Sequence, residues 1–299
     1  MTRIQTAVKP FLDTIEVLEN EPMSLHTTFR IGGPARYFIH LTPDTPLPEL
    51  LDALHGTGER VTILGRGSNL LVRDEGIPGV VVCILGRSRV RVEGTRVSAQ
   101  SGAALAQVAA AALANGLAGA EFAAGIPGSV GGAVFMNAGA YDGSMSDIVT
   151  ESQYALPDGT VGTLRGAEHG FAYRESAYKL APERVILSAE LELRQGDPVE
   201  IRAKMDDLAA RRRDKQPLEF PSAGSTFKRP SGYFAGKLIE DCGLKGFSVG
   251  GAQVSEKHAG FLINRGGATA DDMRRLIEEV QARVLSAFGV ALECEVQFL

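Results

Sequence analysis

Two periods of hydrophobicity alternate along the chain, and together they predict an α+β protein. Helical spacing over 47–54 is followed by a short apolar run at 61–64, read as a strand. Further strands are expected at 80–85, 90–92 and 97–99, separated by turn residues, which suggests a mixed sheet. Residues 103–115 are alanine-rich and stop at Gly116, the pattern of a helix with a glycine at its end. The runs 148–156 and 159–164 flank Pro157-Asp158-Gly159, a strong hairpin signal, and 185–193 alternates as a strand that closes the first domain. Asp197-Pro198 then opens a helix, with Glu200 placed for a capping box and Ile201, Met205, Leu208 and Ala209 on one face. A last long helix is expected at 271–288, after Thr269, with Met273, Leu276, Ile277, Val280, Val284 and Phe288 toward the core. Gly289 ends it, and 293–298 is expected to be a final strand. The amino-terminal residues read as helix, and Gly32-Gly33-Pro34 forces a turn in the segment 26–34.

Glycine breaks this pattern in two places. Residues 125–139, GIPGSVGGAVFMNAG, are too glycine-rich for an ordinary helix and too apolar for a solvated loop. Glycine at such density suits backbone laid against a flat or phosphorylated ligand, or a tightly packed crossing of elements; both readings stay open here. Residues 65–72, GRGSNLLV, follow the strand at 61–64 and offer consecutive backbone N–H groups of the kind that hold a diphosphate. The segment lacks the Gly-Lys-Ser/Thr of a Walker loop and the third glycine of a Rossmann fingerprint, so alone it is equally a structural turn. Two such stretches in one domain suit a dinucleotide better than a mononucleotide.

Composition narrows the class. With 299 residues, 44% of them hydrophobic, the chain can bury a sizeable core in about two domains, with a boundary near Gly196. Lys plus Arg number 31 against 36 Asp plus Glu, a net charge of -5, so neither nucleic acid nor an anionic membrane is an expected partner. No run reaches the roughly 18 apolar residues that span a bilayer, and the amino terminus carries acids rather than a long apolar segment, so no secretory signal is expected. Cys83, Cys242 and Cys294 are scattered, which fits a reducing compartment and small buried side chains. The five histidines form no paired spacing, and no metal site is expected.

Candidate chemistry lies in three further segments. In FAYRESAYK, Arg174 stands between two tyrosines, and its guanidinium is a natural fork for a carboxylate; a surface arginine beside inward-packed tyrosines is the alternative. In SAGSTFKRP, Ser225 follows Gly224, with no nucleophile elbow and no histidine placed to activate it, so a hydroxyl that donates a proton is favoured over a nucleophile. The basic run Arg211-Arg212-Arg213 precedes it and also fits cations at a helix C-terminus. In LECEV, Glu293 and Glu295 share one face of the expected strand, with Cys294 opposite; surface decoration is the plain alternative.

These segments, with FRIGGP at 29–34 and EDCGLKGFSVGGAQVSEKHAGFLIN at 240–264, occur in the order seen in the UDP-N-acetylenolpyruvoylglucosamine reductase family, which the chain resembles over nearly its whole length. It looks like the shorter of two subtypes, without a tyrosine-bearing insertion in the last domain. The resemblance implies an FAD-binding domain of the vanillyl-alcohol-oxidase type at 30–196, a smaller α+β substrate domain at 197–299, and an amino-terminal segment, 1–29, packed on the FAD domain. It implies FAD contacts from Leu64, Gly65, Arg66, Gly67, Ser68, Asn69 and Leu70 in the first glycine stretch. In the second it implies Gly125, Ile126, Pro127, Gly128, Val130, Gly131, Gly132, Ala133, Asn137 and Gly139. By the same resemblance NADPH reduces FAD and leaves, and the enolpyruvyl ether of UDP-N-acetylglucosamine then takes hydride at its terminal vinyl carbon. Arg174 and Glu295 would stabilise the enol charge beside the carboxylate, and Ser225 would protonate the other vinyl carbon. Tyr173, Arg213, Gly224 and Lys228 would border the substrate. Two positions depart from the family pattern: Asp142 follows Tyr141 where glycine is usual, and Gln297 replaces an expected arginine. A cytoplasmic enzyme of peptidoglycan precursor synthesis is therefore expected. A flavin oxidase of the same fold is a second reading, disfavoured by the lack of His or Cys in the glycine stretches for covalent attachment; a non-enzymatic binding module is a third.

Overall fold

The computed structural model describes residues 2–299; Met1, the first residue of the expected amino-terminal segment, lies outside them. Among the described residues eight α-helices run in chain order: α1 (Arg3–Val8), α2 (Leu47–His55), α3 (Leu105–Ala114), α4 (Val130–Met136), α5 (Ala177–Leu180), α6 (Pro198–Lys215), α7 (Ala235–Asp241) and α8 (Ala270–Phe288). The chain builds two compact units from interleaved segments. The first takes residues up to Glu19, Tyr37–Arg66 and Gly79–Ala210; the second takes Asn20–Arg36, Gly67–Pro78 and Arg211–Leu299.

The first unit holds two cores. One forms where the leucines of α2 and Ile4 and Val8 of α1 pack against Tyr37, Ile39, Val80 and Val82 of a four-stranded sheet. Within that sheet Val61–Leu64 runs parallel to Ile77–Cys83. The other core lies against a five-stranded antiparallel sheet in the order Val161–Arg165, Val149–Ala155, Val185–Glu192, Arg96–Gln100, Val90–Glu93. Leu105, Val108 and Ala112 of α3 and Val130, Ala133 and Val134 of α4 bury against it. The hairpin expected at Pro157-Asp158-Gly159 is present: Gly159 takes φ 78, Leu156 N–H donates to Thr160 O at 2.8 Å, and Asp158 Oδ1 accepts from Thr160 N–H.

The second unit is an antiparallel sheet, Ser222–Ser225, Phe261–Asn264, Ala252–Val254, Ser248–Val249, covered by α7 and α8. Its core joins Met273, Leu276, Ile277, Val280 and Val284 of α8 to Leu262, Val254, Phe29 and Leu71. Phe288, expected on this face, is exposed, because the last turn of α8 runs past the core before Gly289 ends it in the left-handed conformation. The final strand is also shorter than its pattern: only Gln297–Phe298 pairs, in parallel, with Leu70–Leu71. Upstream, Cys294 forms an isolated bridge to Phe227, so the segment changes partners halfway.

Helix α8 begins with a reciprocal box between Thr269 and Asp272, and the carboxylate of Asp74 accepts from the N–H groups of Ala270 (2.8 Å) and Asp271 (3.1 Å). A carboxylate there satisfies two donors that the helix leaves open and complements its dipole. Asp74→Ala is expected to lower the stability of the second unit by about 1 kcal/mol, read as an earlier urea midpoint for α8 amide protection. An unchanged midpoint would mean water replaces the carboxylate at no cost.

Candidate active site

The glycine stretch 125–139 is not loop throughout. Residues 130–136 form α4, contrary to the expectation of non-helical backbone, with Ser129 Oγ accepting from Gly132 N–H and Asn137 closing it at φ 42. Burial of Val130, Ala133 and Val134 outweighs the poor propensity of its two glycines, about 1 kcal/mol each. Gly131 is required by packing: a Cβ there would lie 3.0 Å from Ser101 Cβ. Gly139 is similar, since a Cβ would lie 2.6 Å from Gly143 O in the small hairpin that follows. At these two positions the close crossing of elements leaves no room for a side chain.

The amides divide the two stretches by role. In the second, Val130, Gly131 and Gly132 donate to Ala103 O, Ser101 O and Ser129 Oγ, and Gly128 donates to Ile126 O, so these groups are already used. In the first, the N–H groups of Gly65, Arg66, Gly67 and Ser68 meet no acceptor among the described residues. Four consecutive open donors fit a diphosphate, which accepts many hydrogen bonds and needs no formal cation where amides converge. Bare backbone at the start of this loop is enforced, because a Cβ on Gly65 would strike Ser129 Oγ, the cap of α4. Farther along the loop, a Cβ on Gly67 would strike the carbonyl of His26, and Thr28 N–H donates to Gly67 O at 3.2 Å. Leu64 is buried at the end of its strand, and Leu70 pairs with Gln297. Asn69 Nδ2 donates to Glu295 O at 3.0 Å, and Asn69 O accepts from Gln297 N–H, so Gln297 holds its place through backbone.

Arg174 sits at the tip of a two-residue turn closed by reciprocal bonds between Ala172 and Glu175 (3.2 and 3.1 Å). Its φ of 58 is left-handed, unusual for a long side chain. The guanidinium reaches Gly139 O at 3.3 Å and lies 5.2 Å from the centre of the exposed Tyr173 ring. Asn137, buried, ties this turn to the end of α4: its Nδ2 donates to Ala172 O (2.9 Å) while its Oδ1 accepts from Ser146 N–H (2.9 Å). Lys179 Nζ donates to Arg174 O at 2.9 Å. The first unit thus brings Arg174, Asn137 and Gly139 together. Tyr141 and Asp142, one of the departures from pattern, both take positive φ in the tip of the Gly139–Ser144 hairpin, where aspartate is among the residues that tolerate it.

In the second unit, Ser225 is exposed beside buried Thr226 and Phe227. The strand pairs regularly at Ser222 and Ser225 but slips between them, where Gly224 takes φ 78, and this bulge turns Ser225 outward. Ser225 Oγ has no hydrogen-bond partner among the described residues, whereas Thr226 N–H donates to Gly260 O and its Oγ1 accepts from Leu262 N–H. Glu295 is brought to the same edge: its N–H donates to Thr226 O at 2.8 Å. The thiol of Cys294 lies against Thr226 O, and burial pushes its pKa up to about 11, so it is an inert thiol. Lys228 forms an ion pair with Glu293, and Arg213 lies in the last turn of α6, its carbonyl accepting from Lys257 Nζ at 2.6 Å.

Sequence reasoning missed the buried group Ser152, His169 and Tyr178 on either side of the Arg174 turn. Only the spacing of His169 and Tyr178 about YRES hinted at it, and spacing does not say that both side chains meet one strand serine. Residues 37–165 match the family model described as FAD binding domain, and 216–299 match that described as UDP-N-acetylenolpyruvoylglucosamine reductase, C-terminal domain. A UDP-N-acetylenolpyruvoylglucosamine reductase of Pediococcus pentosaceus is 50% identical over 285 residues, 95% of this chain and 95% of that protein. One from Clostridium perfringens strain 13 is 48% identical over 289 residues, covering 97% of this chain and 95% of its own. Among solved structures, the UDP-N-acetylenolpyruvylglucosamine reductase of Thermus caldophilus aligns with a TM-score of 0.78 at 33% identity, over 95% of this chain and 98% of that one.

Proposed function

Because the chain belongs to the UDP-N-acetylenolpyruvoylglucosamine reductase family, we infer that it is a flavin-dependent oxidoreductase reducing the enolpyruvyl ether of UDP-N-acetylglucosamine enolpyruvate to UDP-N-acetylmuramate, a step of peptidoglycan precursor synthesis. The observation that carries the reading is relatedness at about half identity along 95% of both chains. FAD supplies the hydride chemistry when bound, with NADPH as the source of reducing equivalents. Gly65, Arg66, Gly67 and Ser68 hold its diphosphate through their open amides, and the stretch ending at Asn137 and Gly139 lies toward the flavin. Function divides at about Gly196, FAD before it and substrate after it; the two family-model matches fall on either side of that point.

Arg174 grips the substrate carboxylate with its fork and, with Glu295, stabilises the charge that develops on the adjacent carbon. Stabilisation of this kind raises the rate only where it grows in the transition state, which a preorganised, left-handed arginine serves. Ser225 Oγ gives its proton to the carbon beside the carboxylate; its freedom from other partners and the absence of an activating histidine support a donor rather than a nucleophile. Tyr173 and Gly224 border the substrate. Arg213 and Lys228 face its diphosphate, for which Lys228 exchanges its ion pair with exposed Glu293. The enzyme works in the cytoplasm, without nucleic acid or membrane; three free cysteines fit that compartment, and no helix among the described residues is long and apolar enough to cross a membrane.

Purified protein loaded with FAD is expected to be yellow, to bleach with NADPH, and to regain its colour on addition of the enolpyruvyl sugar without oxygen. Protein that binds no FAD, or that bleaches and stays bleached with the sugar present, would overturn the assignment.

A further inference from the structure

A six-residue excursion, Phe171 to Ser176, carries Arg174, and its two ends are fixed in the core of the first unit by one buried polar chain. A Cβ on Gly170 would lie 3.6 Å from Ala177 N, so the excursion leaves and returns at nearly one point. His169 enters just before it and Tyr178 just after it, and both side chains reach Ser152 in the second-position strand Val149–Ala155: Nε2 lies 2.8 Å and the phenol 2.6 Å from Ser152 Oγ. Ser152, His169 and Tyr178 are each 1% exposed or less.

The proton order in this chain follows from its ends. His169 Nδ1 lies 2.9 Å from Gly166 O, a carbonyl that only accepts, so in the neutral imidazole Nδ1 carries the proton and Nε2 accepts. Ser152 must then donate to His169, and its remaining capacity takes the proton of Tyr178. Burial pushes the phenol to about 12, which keeps that proton in place. Each group has one role, and the His169 ring is further fixed by stacking on Phe171, 4.9 Å between centres and 8° from parallel. At the other end Ser176 Oγ donates to Phe135 O at 2.6 Å, joining the turn to α4.

An apolar core would hold this loop without the desolvation cost of three polar groups. A fully satisfied buried network instead specifies one geometry. The tip needs that, since a left-handed arginine persists only where its surroundings over-determine it. We propose that Tyr178, Ser152 and His169 are positioning residues for the reduction reaction, a directional hydrogen-bond clamp that holds the Ala172–Glu175 turn so that Arg174 is presented to the substrate carboxylate. This rests on the assignment of Arg174 to that carboxylate.

The test uses the FAD-loaded protein and separates the two assignments. Arg174→Ala is measured first; if colour returns on adding the enolpyruvyl sugar at the wild-type rate, the parent assignment falls. With Arg174→Ala slow, Tyr178→Phe and Ser152→Ala are expected to bleach with NADPH at the wild-type rate. Their return of colour is expected to slow by about ten-fold and up to about a hundred-fold, respectively, the scale of a misplaced catalytic group. Tyr178→Phe keeps the ring in the core and carries the test if Ser152→Ala does not fold. In hydrogen exchange, the amides of Ala172 and Glu175 are expected to lose protection while the paired strand residues Val97 and Leu191 keep theirs. In the Arg174→Ala background, Tyr178→Phe should add no further slowing. A normal recolouring rate in Tyr178→Phe, equal slowing of both half-reactions, or even loss of protection across the unit would overturn the clamp.

Discussion

Ser225→Ala protein is expected to purify yellow, bleach with NADPH at the wild-type rate, and regain colour with the enolpyruvyl sugar about 100- to 10,000-fold more slowly, the usual worth of a positioned proton donor. The surroundings isolate the effect to one proton. Ser225 is exposed and its Oγ bonds to nothing among the described residues, so truncation leaves no buried group unpaired. Its neighbours Thr226 and Phe227 are buried, and the bulge at Gly224 does not depend on the hydroxyl. Stability should therefore stay within about 0.5 kcal/mol of wild type. Recolouring at the wild-type rate would remove Ser225 from the mechanism and leave the proton to solvent.

Arg174→Gly is expected to separate the turn from the side chain it carries. Position 174 has φ 58, which glycine adopts freely and arginine does not, so the turn between Ala172 and Glu175 should survive and the protein should be as stable or up to about 1 kcal/mol more so. The guanidinium is lost, together with its contact to Gly139 O. Removal of a preorganised group that meets developing charge typically costs about 100- to 1,000-fold. The loss should appear in the return of colour under single turnover and not in bleaching by NADPH. Arg174→Lys should recover little of it, because an ammonium offers no planar fork and keeps the left-handed strain. A glycine variant that recolours within a few-fold of wild type would show that carboxylate binding lies elsewhere.

Both variants act at places where local sequence and tertiary contact made separate contributions. Arg174, Ser225 and Glu295 are picked out as candidates by the short motifs that carry the family resemblance, whereas residue type alone leaves a surface role open for Arg174 and Glu295. The elements were legible in local pattern: α8 follows from its apolar spacing and from Thr269, the hairpin from Pro157-Asp158-Gly159. The helix inside 125–139 was not, because its stability comes from Val130, Ala133 and Val134 burying against a sheet drawn from other parts of the chain. Propensity alone favours loop there, and only packing reverses it.

The sequence by itself determined the family and the order of the elements, since each is encoded in motifs and spacings of residues close together along the chain. Tertiary structure alone decided where a side chain is excluded by packing, as at Gly131 and Gly139, and that the stretch from Gly65 to Ser68 keeps four amides open among the described residues. It decided that Asp74 caps α8 from 196 residues away, and that Asn137 joins the end of α4 to the Arg174 turn across 35. It also assigned Asn20–Arg36 and Gly67–Pro78 to the same compact unit as the carboxyl-terminal third. Periodicity and capping report interactions within a few residues. A hydrogen bond or a missing Cβ contact between distant segments depends on where the backbone brings them, and no local pattern encodes that position.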